Sequence, residues 1–317
     1  MSGLLLVVVC AGLCAGTIAL RLRRATFGLD LPGQRSLHVR PTPHGGGLGI
    51  VLAALVALLW LGLPGVWVGG VLLLAGISVV DDWRPLPFWS RLPVHVLVAA
   101  GVVFLHMPAA WWLVGGLVLL LAWGMNAYNF MDGADGLAGC MSAVGFAAYA
   151  LAFLFGGQPV WAVFCVVLAV AALVFLAFNW HPARIFMGDV GSVPLGFLAG
   201  GLGWLGVALQ VWPGWFPLLV FAPFLLDATL TLLRRMLRRE RFWEAHREHA
   251  YQRMVRMGLT HAQMSRRWLW LMLAGATLAL LGLGAPLELG AWLAAAWYAG
   301  LTAAWWQVQR RWQSRNE

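Results

Sequence analysis

Asn126 to Leu137 reads NAYNFMDGADGL, an island of amides, carboxylates and glycines inside a strongly apolar chain. Asn129, Asp132 and Asp135 follow one another at intervals of three. A helical turn would therefore put all three on one face. Gly133 and Gly136 would let backbone or ligand approach closely. Oxygen-only donors of this kind suit Mg²⁺, which binds through one or two side chains plus substrate phosphates. Asp81 and Asp82 form a second island. Adjacent carboxylates repel each other, which favours a bound cation. A third, Asn179 to Ser192, ends in GDVGS. There Asp189 stands in a glycine turn at an expected helix start, where phosphate could dock and the carboxylate reach a metal. A fourth, Arg234 to Arg267, contains His246, His249 and Arg253. His246 and His249 would share a helix face. The Arg-rich surroundings and the lack of a nearby third ligand favour phosphate contact over zinc. The loop from Asp30 to Gly47 adds Arg35, His38 and His44, and its GGGLG run lacks the preceding strand of a dinucleotide fingerprint.

The elements that carry these islands are membrane helices. The chain is 62% hydrophobic and 10% charged, against about 25% charged in soluble domains. Eleven apolar runs approach the length of a bilayer span: 3–20, 46–62, 65–80, 93–107, 110–126, 138–155, 160–178, 192–209, 214–233, 268–284 and 287–306. The first has its Arg residues behind it, which predicts an uncleaved anchor with the N-terminus outside. Alternating sides from there puts all 21 basic residues, every one an Arg, on one face. The opposite loops hold only Glu288. This asymmetry follows the positive-inside rule and places every island in the cytoplasm. The expected fold is an all-α integral membrane protein of about 11 transmembrane helices, a single domain with a basic, helical excursion at 234–267. Asp227 falls inside the ninth run, where an ionisable group is functional or pairs with a neighbouring span. Cys10, Cys14, Cys140 and Cys165 sit in apolar runs with no CxxC pair and read as packing residues.

In this order the islands resemble the polyprenyl-phosphate N-acetylhexosamine-1-phosphate transferases (glycosyltransferase family 4). The resemblance rests on the Asp30–His38 loop, the Asp81–Asp82 pair, N-x-x-N-x-x-D-G-x-D-G-L, F-M-G-D-x-G-S and H-x-x-H. It implies that a polyprenyl phosphate attacks a UDP-N-acetylamino sugar, releasing UMP, with Mg²⁺ as cofactor and Mn²⁺ as an alternative. It implies Asn129 and Asp189 as metal ligands. Gly133, Asp135 and Phe186 would form the uracil pocket, with Phe186 stacked on the base. Asn126 and Asp132 would line the nucleotide–phosphate region, and Arg35, His38, His246, His249 and Arg253 would hold substrate phosphates. Asp81, Asp82 and Asp132 are the catalytic candidates, with Asp81 as general base or as the group that positions the lipid phosphate. His44 stands where relatives often carry Lys or Arg, and Arg91 stands downstream of the Asp pair where Lys is common in relatives. H-x-x-H-A-Y-Q is similar to the O-antigen-initiating branch and lacks the His run of the muramoyl-pentapeptide enzymes. The implied setting is the bacterial inner membrane, with membrane lipids as partners, a homodimer as an option and no nucleic acid. A transporter of nucleotide sugars or lipid-linked sugars is the alternative, but transporter sites lie near the bilayer midplane.

Overall fold

An apolar chain in lipid must satisfy its own backbone groups, and helices do so within one segment. The computed structural model describes residues 3–24, 28–32, 37, 40–84, 86–107, 110–241 and 246–315. Among these there are thirteen helices and one short antiparallel ribbon. The helices are α1 Gly3–Arg23, α2 Gly47–Trp60, α3 Gly65–Trp83, α4 Phe88–Leu105, α5 Leu113–Phe130, α6 Leu137–Phe155, α7 Pro159–Asn179, α8 Asp189–Ala208, α9 Trp215–Val220, α10 Ala222–Leu237, α11 Ala250–Arg256, α12 His261–Gly282 and α13 Leu287–Gln313. The ribbon pairs β1 Leu29–Asp30 with β2 Thr42–Pro43.

Seven helices, α1 and α3 to α8, are long and apolar enough to cross a membrane, and α2 is a shorter apolar helix. Each of the eleven expected runs falls on a helix, except that 214–233 is divided between α9 and α10. Pro223 follows that break. It offers no N–H and its ring crowds the carbonyl four residues back. Conversely, α4 begins at Phe88 and runs through Pro93. That extension carries Arg91 into the helical frame. The expected helical excursion at 234–267 is instead the end of α10, a stretch without regular secondary structure at 246–248, the short α11 and the first turns of α12.

α6 and α8 lie at the centre, buried along most of their length, whereas α1 buries a single stripe of Leu6, Cys10, Cys14 and Ile18. Its other face leaves Leu4 73% and Val8 59% exposed, a surface suited to lipid rather than water. Small residues let backbones meet at the helix starts that matter for the site. A Cβ on Gly47 would fall 2.4 Å from Gly191 Cα, so α2 and α8 touch at their N-termini. Just ahead of that contact, Gly46 N–H donates to Phe186 O at 2.9 Å and Gly47 N–H to Met187 O at 3.0 Å. Phe186 N–H returns a bond to Pro43 O at 2.8 Å. The loop before α2 is thereby fastened to the loop before α8.

Candidate active site

At one end of the helices a polar cavity of about 510 Å³ is lined from five separate segments. The first loop contributes Asp30, Leu37 and His44. The end of α3 contributes Asp82, and α5 with the turn after it contributes Asn129 and residues 132–135. The segment from Asn179 to Asp189 adds Phe186 and Gly188. Gln252 of α11 and His261 of α12 close the wall.

α5 continues to Phe130, so Asn126 and Asn129 are helical, while Asp132 and Asp135 belong to the turn that follows. The three-residue spacing therefore does not create one helical face. The turn itself brings Asp132 and Asp135 to the cavity. Its last residue, Gly136, has φ +76°, a conformation that favours glycine. Gly136 N–H donates to Asn179 Oδ1 at 2.8 Å, and Asn179 Nδ2 donates to Ile185 O at 2.9 Å. The buried Asn179 thus ties this turn to the loop that carries Phe186. Space beside Gly133 is taken by the Tyr251 hydroxyl, which donates to Phe130 O at 3.0 Å.

Oxygen donors collect where α3, α5 and α8 meet. Asp189 is the first residue of α8, behind an N-cap formed by Gly188. The Asn129 side chain hydrogen-bonds Asp189 and accepts from Ser192 Oγ at 3.1 Å. Burial and the neighbouring Asp189 push the Asp132 carboxyl well above its usual range, and a hydrogen bond from the Gly188 backbone opposes this. Mutual repulsion of this kind is what a divalent cation relieves, and carboxylate and amide oxygens suit a hard ion. The donors present therefore fit Mg²⁺. One cation already serves the cluster: Arg91 Nη1 lies 2.6 Å from Asp81 Oδ2 and 3.2 Å from Asp189 Oδ2.

The Asp pair is not equivalent. Asp81 is engaged at both oxygens, by Leu86 N–H at 2.5 Å and by Arg91. Asp82 lines the cavity, with His44 Nδ1 at 3.6 Å. Burial and the Arg21 guanidinium pull His44 below the usual imidazole range, so it is a neutral neighbour at pH 7.

Asn126 lies off the cavity, donating to Ala122 O at 2.8 Å and standing 3.2 Å from His95 Nδ1. His246, His249 and Arg253 do not line it either. The expected shared helix face is absent, because His249 is the N-cap of α11 and His246 precedes that helix. Burial holds His246 down at about 3 and His249 at about 4, so both rings are neutral at pH 7. Arg253 is buried and bonds Glu248 at 2.9 Å and Gln309. This group fastens α11 to α13 behind the cavity wall. Asp227, expected either to be functional or to pair with a neighbouring span, does the latter: it accepts from Trp305 Nε1 of α13 at 3.1 Å, and also from Ala250 N–H at 2.8 Å, Tyr251 N–H at 3.4 Å and Thr231 Oγ1 at 3.1 Å. It caps α11. Arg35 and His38 lie outside the described residues.

Sequence reasoning missed His181 and His261. His181 Nδ1 is 2.6 Å from Asp135 Oδ2, and His261 Nδ1 is 3.5 Å from Asp135 Oδ1. Burial alone would raise the Asp135 carboxyl, but hydrogen bonds from His261, His181 and Ala183 N–H bring it below its usual value. The capping box Thr260–Gln263 marks the start of α12 and would have drawn attention to His261.

Comparisons with known proteins identify the family. The family profile described as Glycosyl transferase family 4 matches residues 64–207. The chain is 28% identical over 255 residues to a probable undecaprenyl-phosphate N-acetylglucosaminyl 1-phosphate transferase of Bacillus subtilis, covering 74% of this chain and 71% of that protein. It is 30% identical over 295 residues to the decaprenyl-phosphate N-acetylglucosaminephosphotransferase of Mycolicibacterium smegmatis, covering 76% and 72%. It is 37% identical over 211 residues to the phospho-N-acetylmuramoyl-pentapeptide-transferase of Geobacillus kaustophilus, covering 55% and 65%. The chain belongs to the polyprenyl-phosphate N-acetylhexosamine-1-phosphate transferases of glycosyl transferase family 4.

Proposed function

We propose that this protein transfers an N-acetylamino sugar 1-phosphate from a UDP-sugar to polyprenyl phosphate, as the first membrane step of a bacterial surface polysaccharide such as O-antigen. An oxygen of the lipid phosphate attacks the β-phosphorus of the UDP-sugar. The bond from that phosphorus to the bridging oxygen breaks, and UMP leaves. The observation that carries the reading is the meeting of five polar segments, with Asp82, Asn129, Asp132 and Asp189, in one cavity at the helix ends. A second cavity, of about 330 Å³ and almost wholly apolar, lies along the same α5; it is lined by Leu117, Leu121, Tyr128, Gly196 and Phe221 among others. It suits a hydrocarbon chain.

Both reacting groups are phosphates, so positioning and charge neutralisation carry the rate. Mg²⁺, or Mn²⁺ in its place, held by Asn129 and Asp189, would neutralise the diphosphate. Asp135 would receive the nucleotide at the far wall, with Phe186 and Gly133 beside it. Asp82 faces the cavity and is the better placed of the Asp pair to align the lipid phosphate, which is already largely ionised with a second pKa of about 6. Asp81, tied to Arg91 and Leu86, would hold the end of α3 rather than act as base. We place the cavity on the cytoplasmic face of the bacterial inner membrane, with eleven crossings and the N-terminus outside, because every Arg falls on that side.

Release of UMP by the purified chain tests the reading. The assay would contain polyprenyl phosphate, Mg²⁺ and a panel of UDP-N-acetylamino sugars plus the UDP-muramoyl-pentapeptide. Release with at least one amino sugar is expected. Turnover of the pentapeptide alone, or of none, overturns it.

A further inference from the structure

Asp135 and His261 line the cavity away from Asn129 and Asp189, and His181 stands beside them. One donor atom each from Asp135, His181 and His261 lies within 4.8 Å of the other two. The rings of His181 and His261 are nearly parallel, 11° apart with centroids at 5.4 Å. The three residues come from the turn after α5, the loop before α8 and the start of α12. The turn that carries Asp135 and the start of α12 are held by bonds outside this cluster. Asn179 fixes the turn through Gly136, Ser265 Oγ donates to Asp135 O at 2.6 Å, and the Thr260 cap fixes α12.

Two imidazole nitrogens and a carboxylate oxygen make a donor set for a borderline ion such as Zn²⁺, not for Mg²⁺. His261 has the surroundings that a ligating imidazole requires, in which the second ring nitrogen donates to a carbonyl. His261 Nε2 lies 3.4 Å from Leu37 O. In the neutral ring with its proton there, Nδ1 presents a lone pair, met by Asp135 N–H at 3.3 Å; the protonated ring instead donates to the Asp135 carboxylate. Ala183 N–H donates to Asp135 Oδ2 at 3.2 Å and orients the carboxylate. Asp135 and His261 both line the cavity, so a fourth position opens towards water or ligand. The four cysteines are buried and do not compete.

We propose that Asp135, His181 and His261 form a site for Zn²⁺ or a similar borderline divalent ion, separate from the Mg²⁺ donors. An ion bound there occupies the Asp135 carboxylate and excludes the nucleotide from that wall. Zn²⁺ is then an inhibitor competitive with the UDP-sugar. That consequence rests on the transferase reading; the site itself does not.

Co²⁺ titration of the purified full chain in nanodiscs, without Mg²⁺, tests the site directly. The wild type is expected to take up one equivalent with the visible absorption of four-coordinate Co²⁺, and Zn²⁺ to abolish that absorption. His181→Gln and His261→Gln each keep a polar partner for Asp135 but remove an imidazole. Each should weaken Co²⁺ binding at least about 10-fold, with thermal melting in EDTA confirming a folded chain. Asn129→Ala should retain the absorption. The proposal is overturned if the double His variant binds Co²⁺ as the wild type does, or if Asn129→Ala alone abolishes binding. UMP release is a separate measurement. Its absence beside a normal Co²⁺ titration would sink the transferase reading and leave the site standing.

Discussion

Arg91 holds Asp81 through a 2.6 Å charge-assisted hydrogen bond, and the same nitrogen reaches Asp189 at 3.2 Å. One guanidinium from α4 thereby bridges the end of α3 and the start of α8. A cation bound by Asp189 must compete with it. Arg91→Gln should lower the melting temperature in EDTA by about 2–4 °C, the equivalent of about 1 kcal/mol. Mg²⁺ should then raise the melting temperature more than in the wild type, with half-saturation at lower concentration. Melting curves over a Mg²⁺ series read both effects. Weaker Mg²⁺ binding in the variant would mean that Arg91 helps to hold the ion.

Asp82 and Asp81 should separate in function. Asp82→Asn should reduce kcat/KM by about 10²–10³, the usual cost of removing one preorganised electrostatic group, with little change in melting. Asp81→Asn should act mainly on stability, because its carboxylate receives Leu86 N–H and Arg91. Steady-state UMP release beside thermal melting of both variants checks the split. Equal kinetic losses at equal stability would contradict it.

Stability should fall on both sides of neutral pH, for different residues. The folded imidazole of His261 lies above its unfolded value, mainly through Asp135 acting against burial. Its contribution is full below about pH 6.5 and is lost as pH rises through the folded value. Asp135 is lowered, so its contribution is full above about pH 4 and is lost only in stronger acid. His246 and His249 are lowered by burial to about 3 and about 4. Their contribution is present above about pH 6.5 and fades as pH falls towards those values. Melting temperatures from pH 4.5 to 9 should show His261→Gln flattening the alkaline limb and His246→Asn flattening the acid limb.

Asp227 should matter for stability and not for chemistry. Replacing it by Ala leaves two buried backbone N–H groups of α11 and the Trp305 indole without an acceptor. Such losses cost about 1–3 kcal/mol each. Asp227→Ala should melt well below the wild type, while kcat of the folded fraction at low temperature stays within about 3-fold, under 1 kcal/mol in barrier terms. A selective loss of kcat at unchanged melting would restore a catalytic role.

Gly47→Ala should be among the most damaging alanine substitutions in the chain. Its methyl would fall 2.4 Å from Gly191 Cα, where only backbone can move. Overpacking of this kind costs about 1–3 kcal/mol or more. Gly76→Ala, with open space around the added carbon, is the matched control and should be neutral. Expression and melting of the two variants provide the comparison.

The membrane class and the set of polar segments that form the cavity were legible because both depend on local composition and spacing. Pro223 marks the break between α9 and α10, which the reading of 214–233 as one run missed. Which side chain faces the cavity was not legible. Asp82 and Asp81 are adjacent and chemically identical, and the Leu86 N–H and Arg91, ten residues beyond Asp81, decide between them. His246, His249 and Arg253 have the chemistry of phosphate ligands, yet Glu248, Gln309 and the α11 cap draw them behind the wall. These outcomes are set by packing between helices far apart in sequence. His261 was passed over because it stands outside the dense motifs, at a helix start whose capping residues were the only signal.

The pairing of Gly46 and Gly47 with Phe186 and Met187 also dictates an order of events during synthesis. When α2 leaves the ribosome, the carbonyls that will receive those two amides do not yet exist. Five further helices, α3 to α7, are made before Phe186 emerges. Until then Gly46 and Gly47 lack these two acceptors, and the Gly47 surface that α8 will cover stays open. The cavity end of the molecule therefore closes late, once insertion has passed the middle of the chain. Chains interrupted before Phe186 would expose this seam to membrane quality-control proteases.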